Sequence, residues 1–63
     1  MVTYDNLRAI RRGTVEKFLL NTDREVQSAR VCASQLKKED YIFRTYLDYL
    51  PDGRFELSIA RIN

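Results

Sequence analysis

The groups best suited to chemistry in this chain are its arginines, which outnumber its lysines eight to three. A guanidinium meets a phosphate or carboxylate through two parallel N–H donors, a geometry that an ammonium lacks. Six polar and basic residues, Arg24, Gln27, Arg30, Ser34, Lys37 and Lys38, recur along one stretch at the spacing of a single helix face. Arginine and lysine there suit phosphates, while Gln27 and Ser34 suit backbone or base edges, so the stretch is a candidate nucleic-acid-binding surface. The same residues also have a plain structural use as a solvated helix face. Lys37 and Lys38 fall in the last turn, where cations favour the negative end of the helix dipole.

A second candidate is Arg44 with Tyr46. An outward aromatic beside an arginine stacks on a base or anchors a protein interface. The chemistry of catalysis is otherwise poorly supplied. There is no histidine, the nine carboxylates are scattered, and the one cysteine, Cys32, has no partner for a disulfide and no imidazole to activate it. The two glycines are each explained by a chain reversal, so no phosphate loop is expected, and no acidic spacing matches a calcium loop. The expectation is a protein without enzymatic activity, metal or cofactor.

These residues must be positioned by few elements. Sixty-three residues, 44% apolar and 32% charged, suit one small globular domain, 1–63, near the lower limit for a self-sufficient core. The C-terminal third holds the clearest signal. Pro51-Asp52-Gly53 has the residues of a tight turn, with Gly in the left-handed position. Taking Leu50 and Arg54 as flanking partners pairs Tyr49 with Phe55, Leu47 with Leu57, Thr45 with Ile59 and Phe43 with Arg61 on one face. That face assigns Phe43, Leu47, Tyr49, Phe55, Leu57 and Ile59 to the core. The other face pairs Asp48 with Glu56, Tyr46 with Ser58, Arg44 with Ala60 and Ile42 with Ile62. Asp48 opposite Glu56 is a like-charge pair that Arg44 and Arg54 are placed to relieve.

Upstream, residues 3–12 begin with capping-type residues and stop at Gly13, which predicts a first helix. Val15, Phe18 and Leu19 predict a second short helical piece after a break at Gly13. Thr22 and Glu25 have capping-box spacing, and the helix they start is expected to run to about Lys38. Val26, Ala29, Cys32, Ala33 and Leu36 form its buried arc.

The fold expected is therefore α+β, with two or three short N-terminal helical segments packed on a C-terminal two-stranded antiparallel β-hairpin. An alternative reads residues 41–50 as a helix: Cys32, Ala33, Leu36, Phe43 and Tyr46 then fall at helix-turn-helix positions and residues 54–62 become a wing. Lys37 and Lys38 at the turn count against this winged helix-turn-helix.

No segment approaches the ~20 apolar residues of a membrane span, and the N-terminus lacks a secretory apolar core. A soluble, cytoplasmic protein is expected. Size and inventory point to a small regulatory or accessory protein, of the kind found in phages and mobile elements. Two functions are carried forward: nucleic-acid binding through the basic helix face, or binding of a protein target, as adaptor or inhibitor, through the outer face or edge of the hairpin. The apolar residues that two short helices leave uncovered suggest a homodimer.

Overall fold

Two threonines start the helices of this protein by the same device. In the computed structural model, which describes residues 2–63, the Thr3 hydroxyl accepts the Asn6 N–H at 3.2 Å and the Asn6 side chain accepts the Thr3 N–H at 2.9 Å. This closes a reciprocal capping box on α1, Tyr4–Arg8. The Thr22 hydroxyl likewise accepts the Glu25 N–H at 3.2 Å at the start of α2, Asp23–Gln35. Glu25 returns the contact to Asn21 N–H, at 3.1 Å, one residue before the position that the box spacing predicts.

The first helix is shorter than the predicted 3–12. After Arg8 the chain turns so that Ile10 enters the core, and the Arg61 guanidinium donates to the Ile10 carbonyl at 3.0 Å. α2 passes into a 3-10 turn, Leu36–Glu39, and ends at Asp40 in the left-handed region, φ 70°.

The largest correction concerns residues 14–20, where the sequence predicts a helical piece. Val15–Leu20 is a strand, β1, preceded by a reversal at Gly13 with φ 80°. With β2, Phe43–Tyr49, and β3, Phe55–Arg61, it makes a three-stranded antiparallel sheet in the order β1-β3-β2, not a two-stranded hairpin. The α+β class holds, but the C-terminal strand is the centre of the sheet. The winged helix-turn-helix alternative fails as well. Its second helix would need Phe43 and Tyr46 on one helix, and both lie on β2.

The hairpin register is the one the turn dictates: Tyr49 opposite Phe55, Leu47 opposite Leu57, Thr45 opposite Ile59 and Phe43 opposite Arg61, with Asp48–Glu56, Tyr46–Ser58 and Arg44–Ala60 between. β1 extends the rows, placing Phe18 beside Leu57, Leu20 beside Phe55 and Glu16 beside Ile59. Because side chains alternate, one side of the sheet carries Phe18, Leu20, Leu47, Leu57 and Ile59, and the other carries Val15, Lys17, Leu19, Arg44, Tyr46, Asp48 and Ser58.

The helices cover the first side. Leu7, Ile10, Leu20, Val26, Ala29, Leu36, Leu57 and Ile59 are buried in one core, with Val2 and Ala33 at its margins. α1 is fastened to α2 and its 3-10 extension by Tyr4, whose hydroxyl hydrogen-bonds to Gln35, and by Arg8, which donates to Glu39 at 3.0 and 3.3 Å.

Two details differ from the expected packing. Tyr49 is on the helix side by register but lies past the cover of α2, 75% exposed, with its ring edge-on to Phe55 at 5.4 Å. The like-charge pair Asp48–Glu56 is relieved from β1, by Lys17 at 3.9 Å from Glu56, while Arg54 is spent on Asp52 at 2.7 Å. Among the described residues no helix is long and apolar enough to cross a membrane.

Candidate nucleic-acid interface

Helix α2 presents two unlike sides because its apolar and polar residues each recur at helical spacing. Val26, Ala29 and Ala33 face the core, and Arg24, Gln27, Ser34, Lys37 and Lys38 are exposed, with Arg30 half-buried at the boundary. All six predicted polar and basic positions thus lie on α2 and its 3-10 extension. Among the described residues, none of Arg24, Arg30, Lys37 and Lys38 has a carboxylate within 4.0 Å, since the ion pairs involve Arg8, Lys17 and Arg54.

The nearby acids are occupied elsewhere. Glu25 accepts from the Asn21 N–H and Glu39 from Arg8, whose guanidinium is held above its ordinary pKa chiefly by that Glu39 hydrogen bond. One acid does share the face. Asp23 stands four residues before Gln27 and seven before Arg30, so the surface turns acidic at its N-terminal end, where the helix dipole favours an anion.

The positive C-terminal part borders a groove of about 340 Å³ between α2 and β2. Arg30, Ala33 and Ser34 line it from α2, Lys37 from the 3-10 turn, Tyr41 and Ile42 from the segment leading into β2, and Phe43 and Thr45 from β2 itself. It is open because Ala33 and Ser34 are too short to fill the space above the edge strand. The aromatic wall is braced from behind: Tyr41 and Phe43 lie parallel, 6.0 Å between centroids, and the Arg61 guanidinium sits 4.5 Å from the Tyr41 ring centre.

The edge of β2 adds main-chain groups. Leu50 N–H bonds to Arg54 at 2.9 Å and Ile62 N–H to Ile42 at 2.7 Å, so even-numbered residues of this strand face β3. Phe43 and Thr45, being odd, direct their N–H and C=O groups outward beside the groove.

The second predicted pair is elsewhere. Arg44 and Tyr46 stand on the side of the sheet away from α2, in rows with Val15 and Ala60 and with Lys17 and Ser58. The two surfaces expected from the sequence are therefore on opposite sides of the molecule. Of the upstream arginines, Arg8 is committed to Glu39 and Asp5, whereas Arg11 and Arg12 are exposed on the turn between α1 and β1. Of the groove wall, Phe43 and Thr45 are not among the residues that the sequence singles out for binding. The register alone places Phe43 and Thr45 on the helix side of the sheet, but only the order β1-β3-β2 shows that their strand is an edge.

Cys32 lies half-buried on α2 near the Tyr4 hydroxyl, which is pushed above its ordinary pKa by desolvation and then by Cys32. Among the described residues no group of three or more His, Cys, Asp and Glu side chains gathers as a metal site. Comparisons with protein-family models, with curated proteins and with solved structures find no match to this chain.

Proposed function

We propose that this protein is a small non-enzymatic regulatory protein that binds nucleic acid through the basic face of α2, with single strands seated in the groove between α2 and β2. The observation that carries the reading is the meeting of unpaired cations Arg30 and Lys37 with hydroxyls of Ser34 and Thr45 and an aromatic wall in one groove. Phosphates take the cations and bases lie against the wall, the combination by which single-strand binders hold their ligand without needing a base code. Arg24, Gln27 and Lys38 extend the cationic track along the helix. The intracellular compartment that holds nucleic acid also keeps the lone Cys32 reduced, which fits a cytoplasmic protein.

The test is a fluorescence-anisotropy titration with a short single-stranded oligonucleotide and a duplex of the same length across a salt series. Each phosphate neutralised on a single strand contributes a slope of about −0.7 in log affinity against log salt. Losing two such contacts in Arg30→Ala with Lys37→Ala lowers the slope magnitude by about 1.4. Arg24→Glu, Arg30→Glu and Lys37→Glu together should abolish binding while leaving the circular dichroism spectrum unchanged. Binding insensitive to salt, or absent at low salt, refutes the proposal. Preference for the duplex would move the contact from the groove to the crest of the helix. Binding of a protein in nuclease-treated lysate, lost on Tyr46→Ala and unaffected by the α2 variants, would favour the adaptor reading instead.

A further inference from the structure

One large surface takes no part in this reading: the side of the sheet that carries no helix. It exposes Val15, Leu19 and Tyr46 at 53, 57 and 56%, with Ile42 and Ile62 at one end. These apolar side chains alternate with Lys17, Arg44, Asp48 and Glu56, so a partner for this face must cover the first and pair the second. We propose that this face closes against the same face of a second copy of this chain, forming a twofold β-sandwich.

The order of residues along each strand selects the partner and its orientation. On β2 the outward sequence is Ile42, Arg44, Tyr46, Asp48, Leu50, which is symmetric about Tyr46 in size and antisymmetric in charge. A twofold axis lying in the sheet plane, across the strands at the level of Tyr46 and Ser58, sets each strand over its own copy, running in reverse. Arg44 then meets Asp48 of the second copy, twice, Ile42 meets Leu50 at the rim, and Tyr46 meets itself. On β1 the same operation sets Val15 against Leu19. On β3 it opposes the small residues Ser58 and Ala60 to Ser58 and Glu56, which lets the central strands approach to the ~10 Å of packed sheets. The other in-plane axis, along the strands, would set Leu19 against Asp48 and Val15 against Arg44. The one like-charge meeting in the favoured arrangement is Lys17 with itself. Lys17 is on a rim strand in contact with water and already leans toward Glu56 at 3.9 Å.

Pairing through strand edges is disfavoured by charge. Two β2 edges joined about a twofold axis would bring the Arg30 and Lys37 sides of both grooves together on one face. Two β1 edges joined at their centres would place Lys17 beside Lys17, an arrangement that exposed edge strands use to prevent such pairing. Three strands about 4.8 Å apart, two of seven residues and one of six, at about 3.3 Å per residue offer a face of at most about 14 by 23 Å. That is small beside the ~800 Å² per partner of standard interfaces, so the dimer is reversible and grows with concentration.

Sedimentation equilibrium from micromolar to high-micromolar protein tests this directly. The expected result is a monomer–dimer equilibrium that Arg44→Asp or Asp48→Arg alone weakens about tenfold or more, since each variant makes two like-charge contacts across the axis. The double variant Arg44→Asp with Asp48→Arg should recover the wild-type equilibrium. Leu19→Asp on β1 should weaken the dimer, which a dimer through the β2 edges does not predict because β1 is the far edge of the sheet; a dimer that Leu19→Asp leaves unchanged overturns the face-to-face arrangement. In a Cys32→Ala background, Tyr46→Cys should be joined into a homodimer by a bismaleimide reagent that spans the ~10 Å between packed sheets, a gap too wide for a direct disulfide, and Arg24→Cys should not. A chain that stays monomeric throughout, a dimer indifferent to the single reversals, or a double variant that stays dissociated overturns the proposal. Far-ultraviolet circular dichroism of each exposed-site variant separates loss of the interface from loss of the fold.

Discussion

Two leucines on neighbouring strands of one sheet should respond very differently to the same truncation. Leu57 is fully buried at the centre of β3, flanked by Phe18 and Leu47, whereas Leu19, one residue beyond Phe18 on β1, points to the opposite side and is 57% exposed. Leu57→Ala removes three carbons from the core. At about 0.8 kcal/mol per buried carbon the transfer loss is about 2.4 kcal/mol, and a cavity that cannot collapse in a central strand raises the total to about 3–5 kcal/mol. Sixty-three residues at about 0.05–0.15 kcal/mol each give a total stability of about 3–9 kcal/mol. Leu57→Ala therefore removes about a third of the stability or more. Leu19→Ala gives up less than half of the same transfer energy, about 1 kcal/mol, and encloses no cavity.

Urea denaturation followed by circular dichroism, at protein concentrations low enough to keep the chain monomeric, reads the difference. With a urea slope near 1 kcal/mol/M the midpoint for Leu57→Ala should fall about 2 M or more below that for Leu19→Ala. Equal losses, or a larger loss at Leu19, would refute the face assignment and revive a helical packing of residues 14–20, in which Leu19 is a buried position.

Two further outcomes concern single residues off the sheet. Asp40 ends the 3-10 turn at φ 70°, a conformation that glycine adopts without the Cβ penalty, and the Asn63 side chain bonds only its carbonyl. Relief of about 1–2 kcal/mol of left-handed strain, less glycine's entropy cost of about 0.5–1 kcal/mol, makes Asp40→Gly slightly stabilising, which thermal melting reads as a Tm higher by a few degrees. The Asp52 carboxyl is held below its ordinary pKa by the Arg54 backbone N–H first and by the Arg54 side chain second. A carboxyl lowered on folding stabilises above its unfolded pKa of about 3.9 and loses that contribution as pH falls through the folded value. The Tm difference between wild type and Asp52→Asn should thus be present near neutral pH and vanish in strong acid. A difference that persists below the carboxylate range would show that Asp52 acts through shape and not charge.

The legible part of this fold was the part held by local chemistry. The residues of Pro51-Asp52-Gly53 fix the hairpin, and counting outward from Leu50 and Arg54 reaches the observed pairs. The two threonine caps are legible for the same reason. β1 was not, because Val15, Phe18 and Leu19 satisfy helical spacing, and in a strand they divide between two sides of which only one is buried. Its one non-local clue lies on β3, where Phe55, Leu57 and Ile59 are more apolar than a hairpin arm with one partner requires. Tyr49 was misplaced because the register gives the side of a sheet and not where the covering helix stops. The polar positions of α2 could be named from spacing, but the groove beside them depends on β2 being an edge, and that follows from a pairing some 40 residues apart in the sequence.

The position of β3 also governs when the sheet can form. β1 and β2 do not pair with each other; each pairs only with β3, which follows both in the chain. During synthesis, residues 15–20 and 43–49 emerge as strands with no partner until residues 55–61 have cleared the ribosome. The hairpin assembles first, across a short loop, and β1 docks last, after the larger entropy cost of closing the long loop that contains α2. Any nascent chain stalled before Phe55 carries two unpaired strand edges and no sheet, and is a substrate for chaperones or for aggregation and not for ligand binding.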